Sequence, residues 1–178
     1  KVDFVLLAKR QFGVATDLNT TQSLKELAVL FSHLGVLCDF LNSSDPILFV
    51  FEDDLGFSFD PDDDVQSTTK AMQELGDLDP TSFDWVRLEH FLCTASMQLL
   101  GEGRIKKILA SNSPVVWGMG AVLYTQAGAQ MIVHAILESK LEVPLDHMMD
   151  RLLARGDARV FIAHPSLFRQ ERTGFRSD

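Results

Sequence analysis

The fold that this sequence predicts is an α/β domain with a largely parallel sheet. Three observations point there. Short apolar runs of strand length alternate along the chain with longer stretches of helical period. Turn-forming clusters separate them, such as Asn42–Pro46 and Gly101–Gly103. One run, Ile47-Leu48-Phe49-Val50-Phe51, is apolar at every position, the pattern of a central strand covered on both faces.

The elements follow in order. Asp3–Leu7 reads as a buried strand and Gly13–Thr21 as a loop. Ser23-x-x-Glu26 is a capping box, and Leu24, Leu27, Ala28, Phe31, Leu34, Cys38 and Leu41 continue it at helical spacing. These apolar positions spread around the helix, so burial on more than one side is expected. After the Ile47–Phe51 strand, a loop rich in Asp and Phe runs to Asp64, and Val65–Leu75 forms a helix stopped at Gly76. Strands are expected at Phe83–Leu88, Ile105–Leu109, Ala121–Tyr124 and Val160–Ala163. Thr125 caps a helix through Glu138, and Pro144 opens another through Leu153.

Composition narrows the function. A chain of 178 residues suits one domain and buries roughly 70% of its unfolded surface, enough for a core without staples. Hydrophobic residues make up 46% and charged residues 23%, ordinary values for a globular protein. No apolar run is long enough to span a bilayer. The net charge of −9 argues against a nucleic-acid binder, which needs a basic stripe. The same charge means that a phosphate-bearing ligand would need local positive charge, most simply a metal ion. The 2 cysteines, Cys38 and Cys93, have no paired spacing, so neither a zinc site nor a disulfide framework is indicated. Asn19-Thr20-Thr21 and Asn42-Ser43-Ser44 fit the glycosylation sequon, a triplet common by chance. The chain opens at Lys1 with no signal-peptide pattern, so a piece of a longer protein is expected.

The strongest chemical signal is Glu52-Asp53-Asp54 at the end of the apolar strand. Adjacent carboxylates raise one another's pKa, and a hard divalent cation removes that cost by taking oxygen ligands. In extended backbone Glu52 and Asp54 project to one side and Asp53 to the other, so the first two suit a shared ligand. The bland reading is an acidic loop in water. Asp60, Asp62 and Asp64 resemble a calcium loop, but Val65 and Ala71 stand where its glycine and closing glutamate belong. Trp117-Gly118-Met119-Gly120-Ala121 is a small-residue bend where a ligand or a second backbone can approach closely; a plain turn fits equally. Pro144-Leu145-Asp146-His147 puts a carboxylate and an imidazole at a helix start, where Asp146 also suits the helix dipole. Common hydrolase and nucleotide-binding fingerprints are missing from the sequence.

In their order and spacing these pieces resemble glycosyltransferase family 25, which includes lipooligosaccharide and procollagen galactosyltransferases. The likeness covers roughly Leu24 to Gln170. It rests on Leu30-Phe31-Ser32-His33-Leu34, Phe49-Val50-Phe51-Glu52-Asp53-Asp54, Phe83-Asp84-Trp85, Trp117–Tyr124 with Gly128-Ala129, Pro144-Leu145-Asp146-His147, and Pro165 with Gln170. Family members carry a longer nucleotide-binding part before the Ser-His helix and a Gly-Cys pair just ahead of it. This chain has only 31 residues before Ser32 and no such pair. A single domain over 1–178 with a shortened N-terminal nucleotide-binding part is therefore expected.

The resemblance implies a compact GT-A-like fold and an inverting, UDP-sugar-dependent hexosyltransferase. The donor would carry galactose or glucose, and the acceptor would be a hydroxyl of a glycan or glycosylated protein. It implies Glu52 and Asp54 as ligands of a divalent cation (Mn2+ or Mg2+). Ser32, His33, Glu52, Asp53, Gly118 and Gly120 would contact the donor, and Asp146 would be the general base. His147 and His164 are further candidates for a metal or phosphate contact. The alternatives are a catalytically inactive glycosyltransferase-like binding module and a metal-dependent hydrolase built on the same triplet.

Overall fold

The computed structural model describes residues 24–57, 65–90, 92–93, 98–109, 116–139 and 143–170. The expected strand at 3–7, the loop at 13–21, the capping Ser23 and the Asp60–Asp64 turn lie outside them. Within them the helices are α1 (Leu24–Leu41), α2 (Val65–Gly76), α3 (Gln126–Glu138) and α4 (Leu145–Arg155). The strands are β1 (Ile47–Phe51), β2 (Leu55–Phe57), β3 (Trp85–Arg87), β4 (Leu92–Cys93), β5 (Leu99–Leu100), β6 (Ile105–Ile108), β7 (Val116–Trp117), β8 (Ala121–Thr125), β9 (Val160–Ala163) and β10 (Phe168–Gln170).

Six of the strands form one sheet in the order β1-β8-β3-β9-β6-β5, with small ribbons β2–β10 and β4–β7 beside it. The class is α/β, but the expected largely parallel sheet is a mixed one. Among the described residues only β3 and β9 pair in parallel, and the other pairings of the six-stranded sheet are antiparallel. The reason is that β8 inserts antiparallel between β1 and β3, a step that alternation of apolar runs does not reveal.

β1 is likewise corrected. Among the described residues it is an edge strand, and Phe51 is exposed. Its unbroken apolar run still reflects the expected cover on both faces. Leu48 and Val50 pack on the core under α1 and α3, whereas Ile47 and Phe49 pack on the opposite core. The Phe51 ring stands 5.0 Å from that of Phe168 on β10.

The sheet separates two cores. On one face Leu27, Leu30, Leu34, Leu37 and Phe40 of α1 pack with Ile132 and Ile136 of α3, Met149 and Leu153 of α4, and Trp85, Tyr124 and Val160 of the sheet. On the other face Ala71 and Leu75 of α2 pack with Phe83, Val86, Leu123 and Phe168. α1 is not buried on several sides: it has one buried stripe, and Val29 and Val36 are exposed. Each buried leucine in that stripe contributes roughly 1.5–3 kcal/mol by leaving water.

The caps follow the sequence. The Thr125 hydroxyl accepts the Gly128 N–H at 3.1 Å, starting α3. Gly128 has no room for a side chain, because a Cβ there would run into the main-chain carbonyl of Asp84. Pro144 precedes α4, and Gly156 ends it in the left-handed region with φ 75°.

Candidate functional site

The topology brings the ends of several strands together. β1 and β3 both run antiparallel to β8, so their last residues lie beside its first: Phe51 pairs with Ala121, and Arg87 with Val122. The turn Glu52–Asp54 and the residues Glu89–His90 therefore flank the Gly118–Gly120 strap that leads into β8. The main chain closes this junction. Glu52 N–H donates to Gly120 O at 2.7 Å, and Leu88 N–H donates to Ala121 O at 2.9 Å. Antiparallel pairing of β10 with β2 sets Gln170 opposite Leu55, and Gln170 Nε2 donates to Glu52 Oε2 at 3.3 Å.

A cleft of about 510 Å³ opens over this junction. Its walls are Glu26 and Val29 of α1, Glu52 and Asp54, Gly118 and Met119, Pro144 to His147 at the start of α4, and Gln170. Segments far apart in sequence thus converge on one acidic concavity. Another, of about 440 Å³, lies between α3 and α4 and contains none of the acidic triplet.

Of the residues singled out in the sequence, Glu52, Asp54, Gly118, Asp146 and His147 all line the cleft. The triplet is a turn rather than extended strand, so the expected alternation does not apply, although Asp53 is exposed and outside the lining. His33 is buried behind Glu52, with Nε2 3.7 Å from Glu52 Oε1, beyond direct hydrogen-bond reach. Gly120 joins the strap to Glu52 without itself facing the cleft. Ser32 is exposed, and its hydroxyl donates to Ala28 O one turn back. His164 is exposed and stacks on His90 at 5.6 Å, away from the cleft lining.

Asp146 Oδ1 accepts the His147 N–H at 2.9 Å. The start of α4 is anchored from below by Arg87. Alternation along β3 turns Arg87 toward α4, where Nη2 donates to Asp150 Oδ1 at 2.9 Å and reaches the Asp146 carbonyl at 3.4 Å. Asp150 Oδ2 accepts the Val116 N–H at 3.1 Å, so this carboxylate is committed to structure. Burial pushes its pKa up, and the Arg87 guanidinium opposes that rise.

A comparison with protein-family models and with curated proteins found no match. The site is read from its own chemistry.

Among the described residues no group of three or more His, Cys, Asp and Glu side chains is arranged to hold a metal ion. The cleft does offer two hard oxygen donors, Glu52 and Asp54. Asp54 Oδ1 is buried and meets no protein hydrogen-bond donor. An orphaned carboxylate oxygen beside a second carboxylate suits a cation that completes its shell with water and ligand phosphates, as Mg2+-type ions do.

One residue of the junction escaped the sequence reading. Glu89 is fully buried just past β3, and its Oε2 accepts the Gly120 N–H at 3.1 Å. Burial pushes its pKa up to about 7; the Gly120 hydrogen bond opposes that rise, and the charge of Glu52 adds to it. The available signal was position: Glu89 stands two residues past β3 much as Glu52 follows β1, but as a lone carboxylate rather than a triplet.

Proposed function

We propose that this chain is a metal-dependent, inverting hexosyltransferase domain that moves a hexose from a UDP-sugar to a hydroxyl of a glycan or glycosylated protein. One observation carries the reading: Glu52, Asp54, Gly118, Asp146, His147 and Gln170, named in the sequence as separate motifs, line a single cleft. An acidic turn left in water would have no reason to face a glycine strap and a helix start.

Each residue then has a task. Glu52 and Asp54 would hold the cation, which would supply positive charge to offset the negative charge on the departing diphosphate. Gln170 orients the Glu52 carboxylate through its amide. Gly118 lets the ligand approach the main chain closely. Asp146, across the cleft from the acidic turn, takes the proton from the acceptor hydroxyl as that oxygen attacks the anomeric carbon on the face opposite the diphosphate. Arg87 keeps Asp146 in place by bonding both its carbonyl and Asp150. The transition state has oxocarbenium character, which carboxylates stabilise.

The test is a screen of UDP-hexoses for UDP release, with and without Mn2+ and with glycan acceptors. Release that needs both the cation and an acceptor is expected. Release of free sugar with no acceptor dependence, or no UDP binding at all, overturns the assignment.

A further inference from the structure

We propose that Glu89 is a positioning residue of the cleft: its buried carboxylate sets the Gly118–Gly120 strap and, through Gly120, the main chain of Glu52. What the cleft binds rests on the functional reading above; the positioning itself stands on geometry.

The strap meets Glu89 at two points, one a hydrogen bond and one a close approach. Glu89 Oε2 accepts the Gly120 N–H at 3.1 Å. At Gly118, φ is 117°, and a Cβ would lie 2.6 Å from the same Oε2 and 3.1 Å from the His90 Cα. So the carboxylate occupies the space that a side chain at position 118 would fill, and the backbone there takes a conformation that favours glycine. Gly120 then passes the constraint on, because its carbonyl accepts the Glu52 N–H at 2.7 Å. The carboxylate, the strap and the acidic turn are thus linked by one side-chain and one main-chain hydrogen bond.

Packing alone does not account for a carboxylate here. Glu89 is 0% exposed, its Oε1 meets no protein donor, and the charges of Glu52 and Asp54 oppose its ionisation. An apolar residue of similar volume would fill the space without that penalty. What it would lack is an acceptor for Gly120. A hydrogen-bond acceptor for Gly120 is present in both protonation states of the carboxyl group.

The experiment compares the whole chain with Glu89→Gln and Glu89→Ala. Residue-resolved amide exchange by NMR is read at Gly120 and Glu52, and calorimetry is run with Mn2+ and UDP. In Glu89→Ala both amides should exchange about tenfold faster or more, and Mn2+–UDP affinity should fall about tenfold, the effect of one lost hydrogen bond to a charged group. Glu89→Gln keeps an amide oxygen for Gly120 and should hold both readouts within about threefold of the parent, below the cost of a typical lost bond. If Glu89→Gln loses affinity as severely as Glu89→Ala, the residue acts through its charge and the proposal fails. Unchanged protection of both amides in Glu89→Ala overturns it as well. Should Glu89→Ala not fold, the Gln variant decides alone: lost protection at Gly120 contradicts positioning, and retained protection with retained affinity supports it. If the parent chain binds no Mn2+–UDP, the donor assignment falls while the exchange readout still judges the role of Glu89.

Discussion

The two ends of β3 carry buried carboxylates in opposite situations. Asp84, 3% exposed, precedes the strand, and Glu89, 0% exposed, follows it. Asp84 Oδ2 accepts the Arg159 N–H at 2.7 Å, and Oδ1 accepts Arg159 Nη2 at 2.8 Å. Its carbonyl accepts the Thr125 N–H at 3.0 Å and is covered by Gly128. Glu89 has the Gly120 N–H on one oxygen and no protein donor on the other, with Glu52 and Asp54 nearby. One strand thus has, at one end, a carboxylate whose two oxygens are both answered within the protein and, at the other, a carboxylate with one oxygen unanswered. Under-satisfied buried groups are costly, so a protein keeps them where they act. The difference separates a holding end from a working end.

Mutations at the two ends should therefore fail in different ways. The largest stability effect is expected at the holding end. Gly128→Ala forces a methyl into the Asp84 carbonyl and should cost about 3 kcal/mol in urea unfolding, with ligand affinity unchanged while the fold persists. Asp146→Asn, at the working end, should spare UDP binding and cut transfer about a hundredfold, with stability close to that of the parent; near-normal transfer in steady-state assays would remove Asp146 as the base. Asp84→Ala should cost about 2 kcal/mol, moderated because Arg159 is half exposed and water can replace its partner. An equal loss of transfer per folded molecule in that variant would dissolve the distinction between the ends.

A smaller effect concerns pH. The Glu89 pKa rises from an ordinary glutamate's 4.5 to about 7 on folding. Between those values the folded chain binds more protons than the unfolded one, so this group makes stability fall as pH rises, and the loss is complete above about pH 7. Glu89→Gln cannot titrate there. Unfolding free energies at about pH 5 and about pH 8 should show the parent losing stability relative to the variant. Parallel pH profiles for the two proteins contradict the burial argument.

Much of this was legible in the sequence because it is local. Thr125 capping α3, the opening of α4 after Pro144 and the run Ile47–Phe51 are written in adjacent residues. The lining of the cleft by Glu52 and Asp54 without Asp53 comes from a turn after β1 and not from the strand alternation that the sequence suggested. Pairing was not legible. That β8 lies antiparallel between β1 and β3 depends on long-range packing, and with it go the mixed sheet, the edge position of β1 and the meeting of Glu89 with Gly120. Short strands such as β2 and β10 escaped for the same reason: three residues carry no period, and only their mutual register explains them.

The central claim is that the working end binds a nucleotide diphosphate through a cation held by Glu52 and Asp54. Calorimetry with Mn2+ and UDP tests it most directly, on the parent chain and on Asp54→Ala. The account predicts saturable UDP binding in the parent that disappears with EDTA and in Asp54→Ala. UDP affinity that is the same in the variant, or the same with EDTA present, would contradict it.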